Sequence, residues 1–197
     1  MGIPGITAHR AVHVGGSGFR HDRHGQIVLV QGGSGAVGQC AIAMAKETGS
    51  KVVATVRKEG DMTIAKSAGA DRVYLADGRL KEKILADFPE GIDHIIEVAF
   101  AANIETDVAI LKQGGSIATY ATNEKLSSIP FWLLVFSNIT VYFLGSDDFP
   151  QEAKIAAVQD LSDALADGWP GLSISQEYSL EAIAEAHNHV EQRKQGR

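Results

Sequence analysis

A glycine-rich turn between an apolar strand and a helix is the feature that most limits how this chain can fold. Residues 27–31 read IVLVQ and predict a buried strand, and Gly33-Ser34-Gly35-Ala36-Val37-Gly38 follows with the pattern GxGxxG. The apolar periodicity of residues 36–48 predicts a helix directly after it. Such glycines permit a tight turn, close approach of the backbone to a pyrophosphate, and close packing of helix on strand. The motif therefore predicts a strand–turn–helix unit that binds a dinucleotide.

The tetrapeptide Gly-Gly-Ser-Gly occurs twice, at residues 15–18 and 32–35. Only the second copy follows an apolar strand and opens a helix. The first follows a short helical pattern and precedes a polar run of histidines and arginines, so it predicts a connector.

Short β-branched runs alternate with helical patterns along most of the chain, which is typical of a parallel sheet covered by helices. The predicted strands are residues 27–31, 51–56, 72–75, 92–98, 116–121 and 139–145, and helices are predicted to begin near Ala36, Asp61, Leu80, Asn103 and Pro150. This pattern predicts an α/β fold, a doubly wound Rossmann-type parallel six-stranded sheet, over residues 25–170. Residues 1–24 are interpreted as an inter-domain helix and connector. Residues 171–197 predict a short strand and an amphipathic helix.

Composition excludes several classes of function. The net charge of −6, without a basic face, argues against nucleic-acid binding. The single cysteine, Cys40, fits a reducing cytoplasm and is predicted to pack as a small apolar residue. The apolar run of residues 129–145 is interrupted by polar residues, and no basic-then-apolar leader opens the chain, so a soluble cytoplasmic protein is expected.

Two other nucleotide chemistries conflict with the sequence. The loop has the spacing of a P-loop, but Gln39-Cys40 stands where Lys-Ser/Thr is required, so nucleotide hydrolysis lacks its lysine and magnesium ligand. No tyrosine is followed four residues later by lysine, as a short-chain reductase requires.

The end of the second predicted strand bears on the choice of cofactor. An NAD site usually places an acid there for the ribose 2′-hydroxyl. This strand instead ends in Thr55 and Val56, followed by Arg57 and Lys58, which suit a 2′-phosphate. NADP(H) is therefore the predicted cofactor, although Glu59 leaves the preference open.

Five segments, in order, resemble the zinc-independent quinone oxidoreductases, the zeta-crystallin-like branch of the medium-chain dehydrogenases/reductases. They are GIPGITAHRAV, VLVQGGSGAVGQCAIAMAKETGSKVVATV, AGADRVY, GIDHIIEVAFAANIETDVAILKQGGSIATYAT and YSLEAIAEAHNHVEQRKQGR. The resemblance implies a cofactor-binding domain without the family's GroES-like catalytic domain, and hydride transfer from NADPH to a quinone or activated carbonyl. A non-catalytic dinucleotide-sensing or interaction module and the cofactor domain of an enoyl reductase stay open as alternatives.

The resemblance also implies site residues, all of them for the cofactor. The pyrophosphate would lie against Gly33, Ser34, Gly35, Ala36 and Val37, with Gly38 of the same cofactor loop allowing close packing of helix on strand. The adenosine phosphate would lie against Thr55, Arg57 and Lys58. Thr7 would lie near the nicotinamide, and the remaining groove would be lined by Ala99, Asn103, Tyr120, Ala121, Phe143 and Leu144. Asp61 stands near a position where some relatives use lysine. No catalytic acid or base is predicted.

Two further features have competing interpretations. His9 and His13 are spaced as zinc ligands can be, with His21 and His24 nearby, but no acid or cysteine accompanies them in the sequence, so no metal site is predicted. The apolar run of residues 129–145 fits either core packing or an exposed sheet edge that pairs with a second copy. The resemblance favours a homodimer through the last strand.

Overall fold

The computed structural model describes residues 2–16, 19–169, 171–172 and 176–195, with side chains to residue 192. The strands are β1 (Ile27–Val30), β2 (Lys51–Val56), β3 (Arg72–Leu75), β4 (Ile92–Glu97), β5 (Leu111–Thr119) and β6 (Thr140–Phe143). The helices are α1 (Gly2–His13), α2 (Ala36–Glu47), α3 (Met62–Ser67), α4 (Leu80–Asp87), α5 (Phe100–Ile110), α6 (Phe131–Phe136), α7 (Gln151–Ala166) and α8 (Ile183–Gln195).

The strands form one parallel sheet of six, in the order β3-β2-β1-β4-β5-β6. The predicted doubly wound fold is thus confirmed. Because all strands run in one direction, their carboxyl ends lie at a single edge. The order reverses between β1 and β4, and ligands of such sheets bind in the crevice at that point.

Alternate residues of each strand face opposite sides of the sheet, and both sides are covered by helices. Val28 and Val30 of β1 pack with α1, α2 and α7, whereas Leu29 packs with α4 and α5. Burial on both faces explains why the strand is apolar without alternation. Cys40 is fully buried on the side of the sheet that α1, α2 and α7 cover. Burial raises the pKa of its thiol to about 11, which agrees with its predicted packing role.

Helix α1 is part of this packed layer. Its small residues Ala8 and Ala11 are fully buried, and the buried Arg23 closes its carboxyl end by donating to the carbonyl oxygens of Val12 and Val14. A helix end leaves unpaired carbonyls, and the guanidinium satisfies two of them. From the sequence, Arg23 was expected only as part of a polar connector.

Some predicted boundaries were wrong. Helix α5 begins at Phe100 and not near Asn103, because the amides of Ala102 and Asn103 both donate to the carbonyl oxygen of Ala99. Strand β5 begins at Leu111 and not at residue 116, and Gly114 within it has φ +74°. Helix α6 was not predicted, since its six apolar residues carry no period that separates them from a strand.

The carboxyl-terminal segment is partly described. Residues 173–175, within the segment where a short strand was predicted, lie outside the described residues. The predicted helix is present as α8, and Ile183 and Val190 on its expected apolar face are exposed. Among the described helices, none combines the length and apolarity that crossing a membrane requires.

Candidate functional site

The turn after β1 is made by a glycine that precedes the GxGxxG motif. Gly32 has φ +73°, a left-handed conformation that glycine adopts without steric cost. Gly33 then donates its amide to the carbonyl of Thr55 at 2.8 Å, which fixes the loop to β2. The motif glycines Gly33 and Gly35 lie in this turn, as predicted, and Gly32 just before them supplies its positive-φ position.

Two motif glycines are required by close packing. A Cβ on Gly38 would lie 2.2 Å from the carbonyl oxygen of Gly32, and one on Gly33 would lie 2.8 Å from the Cβ of Ala54. Helix α2 therefore starts against the backbone of the loop itself. This agrees with the predicted role of Gly38 in helix–strand packing.

The amino-terminal end of α2 faces the same loop. Gly35 precedes the helix with φ −75° and offers no side chain to cap it, so the first amides are open to an anionic ligand. Ser34 donates its hydroxyl to Asp61 Oδ2 at 3.3 Å, and Gln39 Nε2 donates to the carbonyl of Ser34 at 3.0 Å. Asp61 thus places a carboxylate beside the loop, near a position where the resemblance implied a lysine.

A groove of about 490 Å³ lies at the carboxyl ends of β1, β2 and β4. Of the predicted site residues, Ser34, Gly35, Thr55, Arg57, Ala99 and Asn103 line it. Gln31, Gly32 and Asn123 also line it and were not predicted.

A second cavity, of about 740 Å³, lies at the carboxyl ends of β5 and β6. The predicted residues Tyr120, Ala121, Phe143 and Leu144 line it, together with Phe100. Burial and the negative charge of Glu97 raise the pKa of Tyr120, which keeps its phenol neutral. The two spaces flank the amino-terminal end of α5, so together they span the carboxyl edge of the sheet from β2 to β6.

The predicted phosphate contacts divide into exposed and buried groups. Arg57 and Lys58 are exposed just after β2. Thr55, by contrast, is 2 % exposed, and its hydroxyl donates its single proton to Gln31 Oε1 at 2.5 Å. That proton is therefore donated inside the domain, and the contact of Thr55 with a 2′-phosphate remains a prediction.

Thr7 does not line either space. It is 5 % exposed within α1, on the helix that packs against α2 and α7. Its predicted proximity to a nicotinamide remains a prediction.

Buried polar side chains beneath the groove were missed from the sequence. Gln31 Nε2 donates to Asp107 Oδ1 at 2.9 Å, and Glu97 accepts from Asn103 Nδ2 at 3.1 Å. Asp107 and Glu97 are both 0 % exposed. Burial, followed by the negative charge of Glu97, raises the pKa of Asp107 well above its ordinary value. Each acid lies within an apolar stretch of the sequence, and that position was the available indication that it is buried.

The histidine pair has an acidic neighbour that the sequence did not indicate. Asp160, on α7, accepts from His9 Nε2 at 2.8 Å, and ligand atoms of His9, His13 and Asp160 lie within 4.8 Å of one another. The statement that no acid accompanies the histidines was therefore wrong, because the partner is 151 residues away in sequence. In this arrangement Arg20 donates to both oxygens of Asp160, and the amide of His21 donates to His13 Nδ1 at 2.9 Å. The cluster is therefore a network of hydrogen bonds and ion pairs that connects α1 with α7.

The doubly wound sheet, the glycine turn and the groove at its switch point define a nucleotide-binding α/β domain. Residues 36–158 match the family described as zinc-binding dehydrogenase, and the chain belongs to that family. The name is the family's and assigns no metal to this chain.

Known relatives agree with the resemblance that the sequence indicated. The chain is 32 % identical to a quinone oxidoreductase of Pongo abelii and 30 % identical to that of Homo sapiens; each alignment covers 96 % of this chain and 57 % of the relative. The chain thus spans little more than half the length of these relatives. Among solved structures, mycobacterial Rv1454c complexed with NADPH has a TM-score of 0.84 at 21 % identity, covering 98 % of this chain and 60 % of that one. The predicted fold and family are confirmed.

Proposed function

We propose that this chain is the NADP(H)-binding domain of an oxidoreductase. The observation that carries the proposal is the open start of α2 beside a glycine turn, in a groove that continues past Arg57 on one side and Asn103 on the other. A pyrophosphate would meet the first amides of α2, where partial positive charge favours anions. Arg57 and Lys58 would meet the 2′-phosphate, although Glu59 and Asp61 reduce the local positive charge.

The proposed reaction is hydride transfer from NADPH to a quinone or activated carbonyl; the similarity to quinone oxidoreductases over 96 % of this chain supports it. The nicotinamide supplies the hydride when it is bound. The residues of this chain would bind and orient it: Tyr120, Phe143 and Leu144 line a cavity at the carboxyl edge of the sheet, against which one face of the ring would pack. A cytoplasmic location remains a prediction.

Preference for NADPH over NADH tests the proposal. NADPH at about 100 times its dissociation constant stabilises a binding protein by about 2.7 kcal/mol, which corresponds to about 5–10 °C in Tm for a domain of this size. We expect this shift with NADPH and a smaller one with NADH at equal concentration.

The variant Arg57→Ala should weaken NADPH binding by about tenfold to a hundredfold, since a charge-assisted hydrogen bond contributes about 1.5–3 kcal/mol. NADH binding should change little. Lys81→Ala, an exposed lysine on α4, is the matched control. Equal losses for both dinucleotides in Arg57→Ala would contradict the assignment of Arg57, and no shift with either dinucleotide in the unsubstituted chain would contradict the proposed function.

The domain is further proposed to form a homodimer through β6, one of the two edge strands of the sheet. Its free edge adjoins exposed apolar side chains, including Trp132 at 65 % and Phe143 at 73 % exposure, and such a surface favours pairing. Light scattering should give the mass of two chains for the unsubstituted protein and of one chain for Trp132→Glu. Ile155→Glu, an exposed site on α7, should leave the dimer intact. A single-chain mass for the unsubstituted protein at micromolar concentration would exclude the dimer.

A further inference from the structure

Asp107 is in an unusual electrostatic position for a carboxyl group. Of the buried side-chain nitrogen and oxygen atoms in the described part of the chain, only its Oδ2 has no hydrogen-bond partner. Glu97 is equally buried, at 0 % exposure, and it accepts from Asn103, which lies one turn before Asp107 on α5. An ionised carboxylate is an acceptor only, so two ionised carboxylates cannot bond to each other, and the charge of each opposes ionisation of the other. A proton on Asp107 removes both problems, because Oδ2 then becomes a donor to Glu97.

With that proton in place, the hydrogen bonds form an unbroken series beneath the groove. The amide of Gly32 donates to Thr55 Oγ1 at 3.3 Å, the Thr55 hydroxyl donates to Gln31 Oε1, and Gln31 Nε2 donates to Asp107 Oδ1. The protonated Asp107 would donate to Glu97, and Glu97 accepts from the amide of Ala99 and from Asn103 Nδ2. The series begins at the glycine turn on one side of the groove. It ends at Ala99 and Asn103 on the other side, and both of those residues line the groove.

The series also fixes the orientation of an amide side chain. Glu97 can only accept, so the NH₂ group of Asn103 must face it, at 3.1 Å from both carboxylate oxygens. The oxygen of the Asn103 amide is then the atom left for a ligand. A carbonyl oxygen accepts hydrogen bonds, so it selects a donor such as a ribose hydroxyl.

We propose that Glu97 and Asp107 share one proton and act as positioning residues that hold Asn103 as a hydrogen-bond acceptor for a ribose hydroxyl of the bound dinucleotide. This inference rests on the proposed function for the identity of the ligand. The shared proton does not depend on any ligand. The two parts are therefore tested separately.

Infrared spectroscopy tests the proton without a ligand. The spectrum of the unsubstituted protein minus that of Asp107→Asn, at pH 7, should contain the carbonyl stretch of one protonated carboxyl group, shifted on exchange into D₂O. A difference spectrum that shows only the bands of an ionised carboxylate would overturn the shared proton.

Dinucleotide affinity tests the positioning role. Asparagine has the shape of a protonated aspartic acid and offers the same acceptor and donor, so Asp107→Asn should keep the dissociation constant for NADPH within about twofold. Asp107→Leu removes both bonds and should weaken binding about tenfold, the equivalent of about 1.4 kcal/mol. Equal losses in the two variants would show that the charge of Asp107, not its proton, is needed. If the leucine variant does not fold, the infrared result and the asparagine variant still decide the matter.

The ligand contact is tested at Asn103. Asn103→Ala should weaken NADPH binding about fivefold to tenfold, as expected for loss of one hydrogen bond of about 1 kcal/mol. Asn188→Ala, an exposed asparagine on α8, is the matched control. Unchanged affinity in Asn103→Ala would overturn the contact. If the unsubstituted chain binds no dinucleotide, the proposed function and the Asn103 contact both fail, whereas the proton is still decided by the infrared band.

Discussion

Gly38→Ala is expected to lower the Tm by about 6–12 °C and to weaken dinucleotide binding more than tenfold. The added Cβ would lie 2.2 Å from the carbonyl oxygen of Gly32 and 2.8 Å from the Cα of Gly33. Both neighbours are backbone atoms of the glycine turn, so no side chain can rotate away. Overpacking of this kind costs about 3 kcal/mol, and each kcal/mol shifts the Tm of a domain of this size by about 2–4 °C. Thermal unfolding and NADPH titration measure the two effects.

Gly35→Ala provides the matched control within the same loop. Its Cβ would meet only the carbonyl oxygen of Gly32, at 3.4 Å, and its φ of −75° suits any residue. The Tm should therefore stay within about 2 °C of that of the unsubstituted protein, as expected for a substitution that causes no steric strain and leaves no cavity. Because Gly35 lines the groove, affinity for NADPH should still fall. If both variants lost the same stability, close packing of Gly38 would not be the cause.

Acidification is expected to destabilise the protein through His94. Its Nε2 must carry the proton, because it contacts the carbonyl oxygen of Ala11 at 2.9 Å, so Nδ1 accepts from Ser116 Oγ at 2.7 Å. Burial, with a smaller contribution from the charge of Arg23, lowers the pKa of His94 well below 6.5. Below pH 6.5 the unfolded chain binds a proton at this histidine and the folded chain does not. The free energy of unfolding therefore falls by about 1.4 kcal/mol for each unit by which the pH is lowered.

The variant His94→Gln isolates this contribution. Glutamine can donate to Ala11 and accept from Ser116 but cannot become charged. Between pH 6.5 and 5, the free energy of unfolding should fall by about 2 kcal/mol less in the variant than in the unsubstituted protein. Urea unfolding at each pH measures the difference. The comparison is needed because Asp107, whose pKa is raised, contributes a pH dependence of opposite sign. Parallel pH profiles would contradict a neutral buried His94.

The strands and the main loop were predictable because their signals are local. The apolar run of β1 and the glycines beside it are read within a dozen residues, and strands two and three have the predicted bounds, Lys51–Val56 and Arg72–Leu75. Helix α6 was missed because six apolar residues fit a helix and a buried strand equally well. Its identity depends on how the chain turns at Asn138, which has φ +51°, before it enters β6.

In the candidate site, too, the local features were predictable and the side-chain orientations were not. Ser34, Gly35, Arg57, Ala99 and Asn103 were predicted and line one groove, because parallel strands bring their carboxyl ends to one edge. The direction in which a hydroxyl points is not a local property. Thr55 was expected at a phosphate, but the adjacent end of β1 supplies Gln31, and the Thr55 proton is donated there.

The sequence by itself determined the class of fold, the family and the place of the glycine turn, since these rest on periodicity and short motifs. Tertiary structure decided the pairings: Asp160 with His9, Asp107 with Glu97 and Gln31, and Arg23 with the end of α1. These partners lie on different elements, up to 151 residues apart. Burial makes their pairing obligatory, because a buried polar group without a partner costs about 1–3 kcal/mol. Which partner satisfies each group is fixed only when the sheet and its helices have packed.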